Sequence, residues 1–220
     1  MTSQVKNITK SVYRTGVDID DLVVEVLAAS ESVLTKRQKE LGVALINMGS
    51  ATTSMMVFEE GEVIHTKIFP VGSGHITNDV AIGLRTSVDV AEQVKLQWGS
   101  ALSKGMKEHE HIDLSQIDPN ETLVIPRKDI AEMISARIEE IFDMIRHELR
   151  AIDRDSKLPA GIVFTGGGAK LPELVEVAKN HFRMSASVGM PAHLRTPIDK
   201  IHDPVFSTAV GLVLWGQASH

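Results

Sequence analysis

The stretch VALINMGSATTSMMVF, residues 43 to 58, sets two apolar runs on either side of a turn of small residues, Gly49, Ser50, Ala51, Thr52 and Thr53. Paired strands joined by such a turn can hold a phosphate, because glycine lets the backbone approach a ligand closely. A phosphate turn that also does chemistry carries a carboxylate to manage the metal; here the candidate positions read Asn47 and Ser54. A second turn, Gly166, Gly167 and Gly168, follows the apolar run GIVFT. It is expected to open directly onto a helix entered near Pro172, whose free N–H groups and dipole favour anions. Either turn alone also fits an ordinary tight connection.

The other chemistry-bearing side chains point less far. Glu92 and Lys95 share one helix face, as a solvated ion pair does. His109, Glu110 and His111 are sequence neighbours in a polar loop and point apart, so they make no metal site. No Gly-x-Ser-x-Gly elbow follows a strand, which leaves hydrolase chemistry without an anchor. Glu139 and Glu140 continue the wet face of a long helix. Arg127 and Lys128, in PRKD at 126 to 129, form a small basic cluster that reads either as helix-start surface or as part of a partner site. No catalytic residue and no metal site emerge.

Composition narrows the classes. The 220 residues are 43% apolar and 24% charged, and 4% aromatic content places the core on Val, Ile, Leu, Ala and Met. A net charge of −6 argues against generic nucleic-acid binding, and the absence of cysteine excludes disulfides and thiolate metal sites. No apolar stretch reaches the roughly 18 to 20 residues of a membrane span, and MTSQVKNITK lacks the apolar centre of a secretory signal, so the chain reads as cytosolic.

The elements that must position the turns follow from periodicity. Residues 3 to 15 put Val5, Ile8 and Val12 on one helical face before Gly16; DLVVEVL is expected to be a strand; 28 to 35 turn helical, and TKRQKE is a solvated connection. Residues 43 to 48, 54 to 59 and 63 to 71 make three successive antiparallel strands. Two helices follow, one with Ile76, Val80 and Leu84, the other over 87 to 98 with Val88, Ala91, Val94 and Trp98. Residues 99 to 120 are polar and irregular, ETLVIP is a short strand, and 128 to 152 is the strongest helix. A final helix around 205 to 215 carries Phe206, Val210 and Leu214. Strands alternating with helices around glycine turns indicate an α/β fold.

Taken together, VALINMGSATTSMMVF, FPVGSGHITNDVAIGLRT, AEQVKLQWG, AGIVFTGGGAKLPELVEVAKNHF and FSTAVGLVLWG resemble the bacterial cell-division proteins of the FtsA family, within the actin and heat-shock-chaperone ATPase superfamily. The resemblance runs from about Asn7 to Gly216, and the segment from His75 to Thr86 is its most family-specific part. It implies an actin-like (ribonuclease H-like) lobe, a mixed sheet with flanking helices plus a smaller α/β subdomain. It matches the second half of the family's molecule only. Residues 1–41 are then the remnant of the first half (helix, strand, connecting helix), 42–74 and 154–220 are like subdomain 2A, and 75–153 like subdomain 2B.

The resemblance further implies that Gly49, Ser50, Ala51, Thr52 and Thr53 form the second phosphate loop and that Asn47 takes the metal-water position. Glu92, Lys95, Gly166, Gly167 and Gly168 then lie on the adenosine side, where two groups on one helix face can grip a ribose and base. The complete family fold holds ATP with magnesium. In this chain Asn47 and Ser54 replace two acids and Ser50 and Ala51 two glycines, so binding weak or absent and no hydrolysis are expected. Implied partners are the C-terminal tail of FtsZ, with Arg127 and Lys128 as contacts, and further copies in actin-like filaments. The implied location is cytoplasmic, at the division site on the inner face of the membrane, reached through partners or other segments. Alternatives are an actin-fold enzyme such as a sugar kinase or phosphatase relative, or a PilM-like pilus assembly protein.

The last residues, GLVLWGQASH, lack the Lys/Arg-rich amphipathic pattern that lays a helix on a membrane. Co-sedimentation with anionic vesicles at moderate salt is therefore expected to leave this chain in the supernatant. Pelleting with the vesicles would contradict that reading.

Overall fold

In the computed structural model, which describes residues 2–106, 109–192 and 199–218, the chain opens with three helices: α1 (Ser3–Tyr13), α2 (Glu25–Val33) and α3 (Lys36–Leu41). Strands β1 (Val43–Met48), β2 (Thr53–Glu59) and β3 (Glu62–Phe69) follow, then α4 (Ser73–Leu84) and α5 (Val88–Trp98). A small hairpin of β4 (His111–Asp113) and β5 (Val124–Pro126) leads into the long α6 (Arg127–Ala151). The chain then forms β6 (Ile162–Thr165), α7 (Leu174–Phe182), β7 (Ala186–Val188) and α8 (Ser207–Ala218).

The principal sheet has the order β3-β2-β1-β6-β7. The first three strands are antiparallel neighbours, while β1–β6 and β6–β7 are parallel, so the sheet is mixed. Every residue of β1 is buried because helices cover both faces. Alternation sends Ala44, Ile46 and Met48 into one cluster with Ile141, Phe142 and Ile145 of α6, and Val43 and Leu45 into another with Val26 and Ala29 of α2. Phe142 ties the first cluster together, with ring centroids 5.6 Å from Phe164 and 5.0 Å from Phe182.

Several expectations need correction. DLVVEVL is not a strand: residues 17–24 pair with nothing in a sheet, and α2 starts at Glu25. Helical burial of Val26, Ala28 and Ala29 against the sheet and α8 overrides the β-branched composition. TKRQKE is a helix rather than a loop, begun by a capping box in which the Gln38 amide donates to Thr35 Oγ1 and the Thr35 amide to Gln38 Oε1. The irregular stretch 99 to 120 contains β4, and β7 is an additional strand. On α5, Val90 rather than Val88 faces inward, Val88 being 55% exposed. No residue of α1 is buried, so its expected apolar face is not core here.

Helices α2 and α8 cross with almost no gap. A Cβ on Gly211 would lie 1.8 Å from the Ala28 carbonyl oxygen, and Ser32 Oγ donates to the Ser207 carbonyl at 2.7 Å. Gly211→Ala is therefore expected to cost about 2 kcal/mol in urea unfolding, in the range of other overpacked contacts. Gly216→Ala on the same helix, where a Cβ meets nothing within 4 Å, is expected to shift the midpoint little. Equal midpoints for the two variants would contradict the tight crossing.

Candidate functional site

Register fixes the first turn. Asn47 pairs with Ser54 and Met48 with Thr53, which leaves Gly49 to Thr52 to reverse the chain, closed by the Gly49 amide donating to the Thr52 carbonyl at 2.9 Å. Its outward carbonyls are then taken by the start of α4: the Ser73 amide donates to Gly49 O and the Gly74 amide to Ser50 O, each at 2.8 Å. Glycine at 72 is required by the approach, since a Cβ there would sit 2.5 Å from Gly49 O. His75 completes the cap by accepting the Gly72 amide at Nδ1, 3.1 Å away. The first amides of α4 thus hold the turn instead of meeting an anion. Thr53 is fully buried at the start of β2, its hydroxyl without a hydrogen-bond partner among the described residues, whereas Ser50 and Ala51 face a cavity of about 410 Å³ shared with His75 and Glu92.

Asn47 is 5% exposed and sits at a junction of four segments. Its Nδ2 donates to Glu25 Oε1 at 2.5 Å and to Thr208 Oγ1 at 3.4 Å, and its Oδ1 lies where a Cβ on Gly166 would come within 2.4 Å. Glu25 is a site residue that the sequence reading missed, because it fell within the expected strand. A carboxylate from α2 thus stands beside Asn47, where the resemblance leads one to expect an acid. Glu25 is open to solvent as a residue, yet partial burial of its carboxyl pushes its pKa up.

Of the residues expected on the adenosine side, Glu92, Lys95, Gly167 and Gly168 converge on one cavity of about 270 Å³, lined also by Ser73 and Leu96, and Gly166 does not line it. Lys95 is 8% exposed, so the pair is no solvated surface ion pair. Its ammonium donates to Glu92 Oε2 at 2.7 Å, Thr77 Oγ1 at 2.8 Å and the Ser73 carbonyl at 3.3 Å, which uses all three protons. Thr77 in turn donates to Glu92. Burial alone would raise the Glu92 pKa, but the hydrogen bonds from Lys95 and Thr77 outweigh it and hold the carboxyl below its usual range. Lys95 therefore positions, while Glu92, with its side chain 42% exposed, is the group that can reach a ligand.

The second turn differs from expectation. Gly166 has φ 82, a left-handed conformation that favours glycine, and the chain passes through a 3₁₀ turn at Gly167–Lys170 before α7 begins at Leu174. The turn does not open directly onto the α-helix. A Cβ on Gly168 would lie 2.8 Å from Met48 Cβ, so the glycines allow this turn to pack against the end of β1. Arg127 and Lys128 line neither cavity: the Arg127 guanidinium is held by the Trp98 carbonyl and Glu110, both at 3.0 Å, and Lys128 lies 4.0 Å from Glu132. Among the described residues no group of His, Asp and Glu is arranged to hold a metal ion by itself.

The raised pKa of Glu25 has a sign that can be tested. The folded state holds the proton more tightly than the unfolded one, so stability is lost as pH rises from the ordinary glutamate value of about 4.5 through the folded pKa. Glu25→Gln keeps an acceptor for Asn47 and removes this loss. The variant is expected to gain stability relative to the parent as pH rises to 7, with the difference shrinking toward pH 4. A parent protein that gains on the variant over the same range would contradict the burial of this carboxyl.

Known proteins resemble this chain in sequence and in fold. The family model described as cell division protein FtsA matches residues 44–211. The chain is 37% identical over 211 residues to the cell division protein FtsA of Pseudomonas aeruginosa, covering 96% of this chain and 51% of that protein. It is 36% identical over 207 residues to FtsA of Bacillus subtilis, covering 94% and 46%. The chain thus spans about half the length of the curated relatives it matches. Among solved structures, MreB5 of Spiroplasma citri bound to ADP superposes with a TM-score of 0.75 at 17% identity, covering 100% of this chain and 67% of that one. PilM in the PilM-PilN type IV pilus biogenesis complex gives 0.73 at 15%, covering 96% and 57%. Those likenesses carry the fold, that of the actin-like ATPases, and the sequence matches carry the family: the chain belongs to the cell division protein FtsA family.

Proposed function

We propose that this chain is the second half of an FtsA-like division scaffold and forms one wall of its nucleotide cleft. The observation that supports this most is the shared cavity of Glu92, Lys95, Gly167 and Gly168, whose floor is tied through Ser73 to the turn at Gly49. Residues 42–74 and 154–220 would be the 2A-like part, 75–153 the 2B-like part and 1–41 the remainder of the first half. Apolar Ile76 and Leu96 in the lining suit a base, and Glu92 suits hydroxyls of a ribose. In the complete molecule Asn47 and Glu25 would flank the phosphate side. One carboxylate together with phosphate oxygens is a common donor set for magnesium, so these residues fit ATP with magnesium. The metal would neutralise phosphate charge there.

The role that follows is a scaffold linking FtsZ to the division machinery and associating with further copies beneath the membrane. Arg127 and Lys128 remain the proposed contacts for the FtsZ tail. Arg127, already engaged internally, would act chiefly by fixing the start of α6, and the side chain of Lys128, 38% exposed, by contributing charge.

For this chain alone, nucleoside recognition should dominate. With one wall of the cleft, the phosphates lack the second set of donors that a complete site provides. Calorimetry is expected to give adenosine, ADP and ATP similar weak affinities with little magnesium dependence, weakened further in Glu92→Gln. Micromolar, magnesium-dependent ATP binding, or binding indifferent to Glu92→Gln, would overturn the reading.

A further inference from the structure

Strand β3 ends the principal sheet, so its outer edge has no strand partner among the described residues. Beside it runs a groove of about 650 Å³ between β3 and a single stripe of α6. The stripe extends from Ala136 to Glu148 at helical spacing, about 18 Å of helix, the length of about five residues of strand. Past the bulge opposite Val57 and Phe58, β3 is regular from His65 to Phe69, which is the same length.

The two sides of this edge differ in chemistry. On the groove side, Phe69 and Met144 supply apolar floor and Glu139, Glu140, Asp143 and Glu148 an acidic wall. Glu148 is taken by Lys67 at 2.8 Å and His65 at 3.1 Å, and Glu140 by Arg137 at 2.5 Å. Glu139 and Asp143, one turn apart, are left at the rim; the Asp143 side chain is 74% exposed, and mostly covered His181 lies 3.4 Å from it. On the opposite side of β3, Ile68 is 58% exposed.

We propose that this edge receives an extended segment of a partner protein in which Lys or Arg alternates with apolar residues. Added as a sixth strand, such a segment turns its basic side chains to Glu139 and Asp143 and its apolar ones to Ile68, while backbone hydrogen bonds supply register. A second copy of this chain is the poorer occupant. Its own β3 carries Glu62 and a single lysine, and the chain has a net charge of −6.

The test uses a fluorescent heptapeptide, Lys-Val-Lys-Val-Lys-Val-Lys, and its block isomer, Lys-Lys-Lys-Lys-Val-Val-Val, titrated with the chain and followed by anisotropy at 0.15 M salt. The alternating peptide is expected to bind at least about tenfold more tightly than the block isomer. The exposed double variant Glu139→Lys/Asp143→Lys, checked for folding by circular dichroism, is expected to lose about tenfold or more. Equal binding of the two peptides would mean plain charge attraction and overturn the proposal. So would an undiminished affinity in the double variant, no binding of either peptide, or a sedimenting dimer that the alternating peptide cannot dissociate.

Discussion

The docking of the Gly49–Thr52 turn onto the first residues of α4 is the constraint on which the rest depends. Two carbonyls that would otherwise face solvent are met by the Ser73 and Gly74 amides, so a hairpin of the sheet and a helix of the neighbouring layer become one rigid corner. The corner needs glycine at 72, where a side chain would strike the Gly49 carbonyl. Once made, it also delivers Ser73 to Lys95 and so sets where Glu92 stands. The price is that the first amides of α4 are used internally and not offered to an anion.

A second junction lies beneath it. Asn47, placed by β1, joins α2 through Glu25, α8 through Thr208 and the Gly166 turn by close approach. An aspartate here would bring two carboxylates together, which repel when both are ionised. Asparagine donates to Glu25 instead, so one carboxylate is kept at this junction at lower electrostatic cost. The closeness of α8 to α2, enforced by Gly211, keeps Thr208 within reach.

Much of this was legible in the chain. The hairpin, the glycine turns and the long amphipathic α6 were readable because period and turn chemistry agree at each of them. The helix at Lys36–Leu41 was present as a Thr-x-x-Gln signature at Thr35 and Gln38, passed over because the intervening residues are charged. Glu25 was not legible: Val23, Val24 and Val26 suggest a strand, and only packing against the sheet and α8 makes the segment a helix with its first carboxylate beside Asn47. The short β4 and β7 carry three residues each, too few for alternation to mark them. The spacing of Glu92 and Lys95 gave their common face, while the burial of Lys95 came from Thr77 and Ser73, residues distant in sequence.

The central claim is that this corner builds a preformed nucleoside-binding wall. Amide chemical-shift mapping during titration with ADP tests it directly. The largest shifts are expected at Leu96, Gly167 and Gly168, with the amides of Gly49, Ser73 and Gly74 changing little because their hydrogen bonds are internal. Shifts concentrated at the start of α4 or away from this cavity, or none at saturating ADP, would contradict it.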